Sequence, residues 1–290
     1  MKGMVDTIHG YGLKAGWYHN NCICPEHDAS IWNGTAHYEG DVAATVEYGF
    51  DSVKLDGCGK FWDLGLWYDL FKKKGRPMMI EDCHWGSDGP KADWCPFHMF
   101  RTSSDIHNNW KSIFSNLQST RKWQGEKPLS RPGCWAYPDM LEVGKLATFH
   151  EDRAHFGAWC ITSSPLILGH NVTDEKTNEK IWPIIANRDA IAVNQDWAGH
   201  PGRLVESVKG KSGKDVQTWA KPLSNGGVAV FIINDNAPGT EDRVSVNLSK
   251  LVAHRELSYQ KVDVWASVPG ESGHSDEIVG VSDTMTFTIG

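Results

Sequence analysis

Up to about residue 200 the chain repeats one pattern: a short apolar run that stops at a polar residue, then a longer stretch with helical spacing. The runs "LKAGWYH" (13–19), "SVKLDGC" (52–58), "PMMIEDCH" (77–84), "MFRTSSD" (99–105), "SRPGCW" (130–135) and "SPLILG" (164–169) read as strands. Between them "YEGDVAATVEYG" (38–49), "LWYDLFKKKG" (66–75) and "NWKSIFSNLQSTRKW" (109–123) read as helices. Such alternation predicts parallel strands joined by crossover helices. The strands end at Tyr18-His19, Asp56, His84 and Asp105, with Asp139 just past Trp135. Functional groups gathered at the C-terminal ends of parallel strands mark a (β/α) barrel. From about Pro201 the texture changes. "DVQTWAKPL", "GVAVFIIN", "DRVSVNL", "YQKVDVWA" and "TMTFTIG" alternate apolar and polar residues between Gly-rich turns, as in an antiparallel β-sandwich. The expected division is a barrel domain over 1–200 and a β domain over 201–290, with the boundary near 198–203.

Side chains alternate across a strand, so Lys54 and Asp56 in "GFDSVKLDGCGK" share one face. By the same rule Arg101, Ser103 and Asp105 share a face in "FRTSSD". On an arbitrary edge strand a Lys–Asp pair reads as a surface ion pair of little worth. On the packed inner face of a barrel, charges need a reason. Two carboxylates at one barrel mouth, each preceded by a cation, suit retaining glycoside hydrolysis, which needs one ionised and one protonated carboxyl about 5–5.5 Å apart. Lys54 would hold Asp56 anionic, and Asp105 would keep its proton by burial or by the nearby charge on Asp56.

Composition narrows the choice. Hydrophobic residues make up 40% and charged residues 22% of 290, which predicts a packed globular core. A net charge of -7 without a basic cluster argues against nucleic acid, and no apolar run reaches membrane-span length. Fourteen Trp mostly fill a core, although flat aromatic faces also suit sugar rings. Seven cysteines and three Asn-x-Ser/Thr triplets (Asn33, Asn171, Asn247) lean towards a secretory or lysosomal compartment. The opening "MKGMVDTIHGYGLKAG" lacks the apolar stretch of a signal peptide. In "NCICPEHD", Cys22, Cys24 and His27 could ligate a metal, but no second cluster completes a zinc site, so no metal is expected.

Several segments together resemble glycoside hydrolase family 27, the melibiase-like α-galactosidases. They are "GFDSVKLDGCG", "FRTSSDIHNNW", "PGCWAYPDML", "ITSSPLILGHN" and "IIANRDAIAVNQDWAG", in consistent order from about residue 9 to 203. The resemblance implies a (β/α)8 barrel followed by an antiparallel β domain. It implies Asp56 as nucleophile and Asp105 as acid and base. Lys54 and Arg101 would bind sugar hydroxyls, Asp139 would accept near the 2-hydroxyl, and Trp135, with Tyr18, His84 and Trp85, would complete the substrate site. It pairs Cys22 or Cys24 with Cys58, and Cys83 with Cys95, leaving Cys134 and Cys160 as buried thiols. No cofactor is implied. The partner would be a terminal α-galactoside of an oligosaccharide, glycolipid or glycoprotein; assembly as a homodimer is left open.

Three features depart from the family pattern. His84 stands where the family carries a Glu that contacts the sugar 2-hydroxyl, and Tyr137 replaces an Asp. Residues 1–12 read as the helix before the family's third strand, with Met4, Val5 and Ile8 on one face. The barrel is therefore expected to hold about six βα units and to lack its first two at the N-terminus, any signal peptide preceding them. The expected activity is removal of terminal α-linked galactose. The alternatives are α-N-acetylgalactosaminidase or β-L-arabinopyranosidase specificity, or a non-catalytic sugar-binding or inactive fragment.

Overall fold

The computed structural model describes residues 1–19, 35–58, 61–236, 240–247, 251, 260–268, 271–279 and 284–289. They form two compact units, Met1–Gln195 with Gly199–Pro201, and Asp196–Ala198 with Gly202–Gly290. Among the described residues no helix is long and apolar enough to cross a membrane.

In the first unit α1 (Lys2–Gly10) precedes β1 (Gly16–His19), and α2 (Ala36–Tyr48) leads to β2 (Ser52–Asp56). Next come α3 (Leu64–Lys73), β3 (Met79–Cys83), β4 (Met99–Arg101), α4 (Trp110–Ser119) and β5 (Trp135–Tyr137). Three further helices close the unit: α5 (Phe149–Ile161), α6 (Glu175–Ile185) and α7 (Arg188–Gln195). The five strands form one parallel sheet in the order β1-β2-β3-β4-β5. Parallel strands in sequence order, with helices between β1 and β2, β2 and β3, and β4 and β5, follow the repeating βα unit of a barrel.

The alternation read for β2 holds. Val53 and Leu55 are buried with Ile80 and Phe100, against Tyr38 and Val42 of α2 and Trp67 and Phe71 of α3. Each such side chain contributes about 1.5–3 kcal/mol by leaving water. Helix starts are set by side-chain caps: Asp63 Oδ1 accepts from Leu66 N at 2.9 Å, and Asn109 Oδ1 from Ser112 N at 3.0 Å. Thr148 and Glu151 form a reciprocal capping box on α5.

Several expectations need correction. Met4 is exposed although Val5 on the same helix is fully buried. "SRPGCW" is mostly a turn: Arg131 and Cys134 pair in an antiparallel bridge around Pro132 and Gly133, and the strand begins only at Trp135. A Pro-Gly dipeptide is a turn signal, which outweighs the neighbouring apolar residues. The sixth predicted strand, 164–169, reduces to a single parallel bridge between Leu141 and Leu168. Pro165 within that run has no N–H to give a ladder. Helix α5 escaped the pattern because seven of its residues are buried, so no polar stripe marks it.

The second unit is antiparallel. β6 (Arg203–Lys209), β7 (Asp215–Pro222) and β8 (Val228–Asn234) form one sheet; β9 (Asp242–Asn247) pairs with β12 (Thr284–Ile289), and β10 (Gln260–Val268) with β11 (Glu271–Val279). β6 and β11 were not anticipated; "ESGHSDEIV" in β11 carries too few apolar residues to show alternation.

Candidate active site

The strand register brings residues of the inner sheet face together in two tiers. One row crosses β1 to β5 as Tyr18, Lys54, Glu81, Met99 and Trp135; the next, nearer the strand C-termini, holds Asp56 beside Cys83 and Arg101 beside Tyr137. Asp56 ends β2 and is only 9% exposed. Its Oδ2 accepts a hydrogen bond from the Tyr18 hydroxyl, and its Oδ1 accepts from Cys58 N at 3.2 Å. Gly57 then turns within the reach of β3. A Cβ there would lie 3.0 Å from the His84 ring and 3.2 Å from the Cys83 carbonyl, a tight approach that favours glycine.

The end of β4 is built differently. The ladder stops after Arg101, where Thr102 N donates to the Tyr137 carbonyl at 3.0 Å; Ser103 lies on a bend and Asp105 just past it. Their shared face with Arg101 is therefore not a strand face. The bend nevertheless returns Asp105 to Arg101, whose NH2 lies 3.1 Å from Asp105 Oδ1 and 2.8 Å from Asp139 Oδ2. Arg101 is 1% exposed, and its NH1 also points at Cys83 Sγ, 3.5 Å away. The neighbouring carboxylates and Cys83 outweigh burial and raise the Arg101 pKa. The Asp105 side chain is 75% exposed, so the burial expected of this carboxyl is not met.

Asp139 sits in the left-handed region (φ 83°), which Asp tolerates. Its Oδ1 accepts from Met140 N, its Oδ2 from Ile106 N as well as Arg101, and its carbonyl from the Trp159 indole. Both oxygens are thus engaged within the protein, and Asp139 ties the Asp105 loop to the sheet. Trp135 is half-buried beside Met99. Trp85 is exposed and held at φ 51°, a strained value for a bulky residue that presents its ring outward.

His84 is 1% exposed. Its Nδ1 lies 2.8 Å from Asp88 Oδ2 and 3.6 Å from Asp82 Oδ1, its ring packs against Trp62 at 4.8 Å, and its Nε2 has no hydrogen-bond partner. Burial, with the charge of Asp88, pushes the Asp82 carboxyl up to about 8. Burial likewise pushes the Glu81 carboxyl up to about 7, against the attraction of Lys54 and Arg101. Lys54 Nζ lies 3.8 Å from Glu81 Oε1 and 5.2 Å from the centre of the Tyr18 ring. Glu81, Asp82, Asp88 and Trp62 went unnoticed in the sequence. For Glu81 the signal was present: in "MMIEDCH" the same alternation puts Met79, Glu81 and Cys83 on one face.

The expected disulfides are partly revised. Cys95 pairs with Cys134 rather than Cys83, joining the chain entering β4 to the chain entering β5. Cys83 and Cys160 are buried thiols in no disulfide, and desolvation pushes the Cys83 thiol up to about 12. Cys134 is therefore a bridge partner and not a buried thiol. Cys83 belongs to β3 itself, with its thiol against Arg101. Cys58 is disulfide-bonded. Cys22, Cys24, His27 and Asn33 lie outside the described residues.

A parallel βα sheet with carboxylates and aromatic residues at its strand ends is the arrangement of a barrel whose functional groups gather at the strand C-termini. Residues 1–196 match the family model described as "Alpha galactosidase A", and residues 213–289 match "Alpha galactosidase C-terminal beta sandwich domain". The chain belongs to this melibiase family: a TIM-barrel domain followed by an antiparallel β-sandwich. It is 29% identical to Alpha-galactosidase A of Cellvibrio japonicus, over 97% of this chain and 72% of that one. It is 32% identical to the Alpha-galactosidase of Cyamopsis tetragonoloba, over 91% and 63%. A solved Bacteroides fragilis structure, described as an alpha-galactosidase/melibiase, shares the fold with TM-score 0.70 and 24% identity, covering 99% of this chain and 64% of that one. The chain thus spans about two thirds of the length of such relatives.

Proposed function

We propose that this chain carries the catalytic machinery of a retaining glycosidase that removes terminal α-linked galactose. The observation that carries the reading is Asp56: a buried carboxyl at the end of an inner barrel strand, oriented by the Tyr18 hydroxyl and the Cys58 amide. In this reading an Asp56 oxygen attacks the anomeric carbon while Asp105 gives its proton to the departing glycosidic oxygen. Asp105, now a carboxylate, takes a proton from water, whose oxygen displaces Asp56 and releases the sugar with its configuration retained. The exposure of Asp105 leaves it accessible from solvent on the leaving-group side, and Arg101 fixes its direction. Lys54 would donate to a sugar hydroxyl from the tier below, and Trp85 and Trp135 would flank the ring.

His84 favours a second reading within the same class. Its Nδ1 faces Asp88 and its buried Nε2 is unpartnered, so it offers a different partner to a sugar than a carboxylate would. An α-N-acetylgalactosaminide or β-L-arabinopyranoside is the competing substrate. The bridges at Cys58 and Cys95–Cys134 support an oxidising, secreted or lysosomal/vacuolar setting. The test is hydrolysis of the three aryl glycosides with the released anomer followed by proton NMR. Retention on the galactoside supports the proposal; inversion, or turnover of none of the three by the folded protein, overturns it.

A further inference from the structure

Glu81 has no part in the steps above, yet it lies in the middle of the inner sheet face. It is the register partner of Lys54 on β3, one tier below Asp56, and 8% exposed. Its Oε1 has no hydrogen-bond partner; its ion-pair neighbour is Lys54 Nζ at 3.8 Å. The groups around it are the Tyr18 ring beneath Lys54, Lys54 and Asp56 on β2, Asp82 and Cys83 on β3, Arg101 on β4, and Tyr137 and Asp139 at β5. Arg101 is already committed to Asp105 and Asp139. Among the described residues, Lys54 is thus the cation left within reach of Glu81.

We propose that Glu81 is a positioning residue that acts through Lys54. As a neutral acid it leaves the ammonium free to reach a sugar hydroxyl above; as a carboxylate it draws the ammonium down onto itself. Its place one tier below Asp56 sets it away from the strand ends where a leaving group would sit. Burial holds its titration near neutrality, so both forms are populated around pH 7. The role assigned to Lys54 rests on the glycosidase reading, whereas the Glu81–Lys54 coupling does not.

Side-chain nitrogen NMR of Lys54 in the whole chain from pH 5 to 9, assigned by loss of the signal in Lys54→Arg, reads the coupling without turnover. Calorimetry with galactose over the same range reads its consequence. The expected result is a Lys54 shift with a midpoint near 7 that disappears in Glu81→Gln. Galactose affinity should fall about three- to tenfold with rising pH in the wild type and keep its low-pH value in Glu81→Gln. A flat Lys54 signal in the folded wild type overturns the proposal, as does an affinity loss in Glu81→Gln that is equal at every pH. If the wild type binds no galactose at any pH, the sugar reading fails and the Lys54 titration alone decides the coupling.

Discussion

The ends of β2 and β4 each deliver an aspartate, by opposite means. Asp56 is still part of its strand, with its direction fixed by the ladder and its oxygens held by Tyr18 and Cys58. Asp105 lies four residues beyond the last strand residue, exposed, and depends on Arg101 and on the Asp139 clamp for its place. A residue inside a regular element inherits its orientation from the backbone, whereas one on a bend must be held by side chains. The two therefore respond differently to perturbation.

The largest expected effect is on turnover. Asp56→Ala should lower kcat on an aryl α-galactoside at least about 10,000-fold whatever the leaving group. Asp105→Ala should cost about 100- to 10,000-fold with a poor leaving group and far less with an activated one, measured by steady-state kinetics on a leaving-group series. Equal losses across that series would erase the difference in roles.

Stability gives the next contrast. Arg101→Met leaves Asp139 buried without its cation and should cost about 3–5 kcal/mol in urea unfolding. Lys54→Met, at a partly exposed site with a 3.8 Å ion pair, should cost at most about 1 kcal/mol. The cysteines add a contrast of their own. Cys95→Ser frees a bridge spanning 39 residues and should cost about 4 kcal/mol. Cys83→Ser, a conservative change of a free thiol, should cost less than about 1 kcal/mol.

A further effect is on pH dependence. Glu81 is raised from 4.5 to about 7, so the folded state binds more protons than the unfolded state between those values. Its stabilising contribution is complete below pH 4.5 and is lost as pH rises towards 7. Asp82, raised from 3.8 to about 8, acts in the same direction over a wider window. Denaturant midpoints should therefore fall between pH 5 and 8, and Glu81→Gln should flatten that fall.

Much of this was legible in the residues. The period-two pattern located β2 and put Lys54 and Asp56 on the face away from Val53 and Leu55, because that strand is regular to its end. The same rule over-extended β4, since alternation cannot reveal where a ladder stops. The Arg101–Asp105 proximity it anticipated survives through an ion pair across a bend. Disulfide partners depend on strand order in space and on turn geometry, so Cys134 in a Pro-Gly turn could not be matched to Cys95 by spacing. Glu81 was missed because a Glu in an apolar run reads as a solvated edge unless neighbouring strands are known to cover it.

The account stands most directly on the identity of the nucleophile. An activated fluorinated α-galactoside, whose glycosyl-enzyme forms faster than it hydrolyses, should add one glycosyl group to the chain. Peptide mass spectrometry should place it on Asp56 within "SVKLDGC". A label on Asp105, Glu81 or any other residue would contradict the account, as would turnover by an Asp56→Ala variant at the wild-type rate.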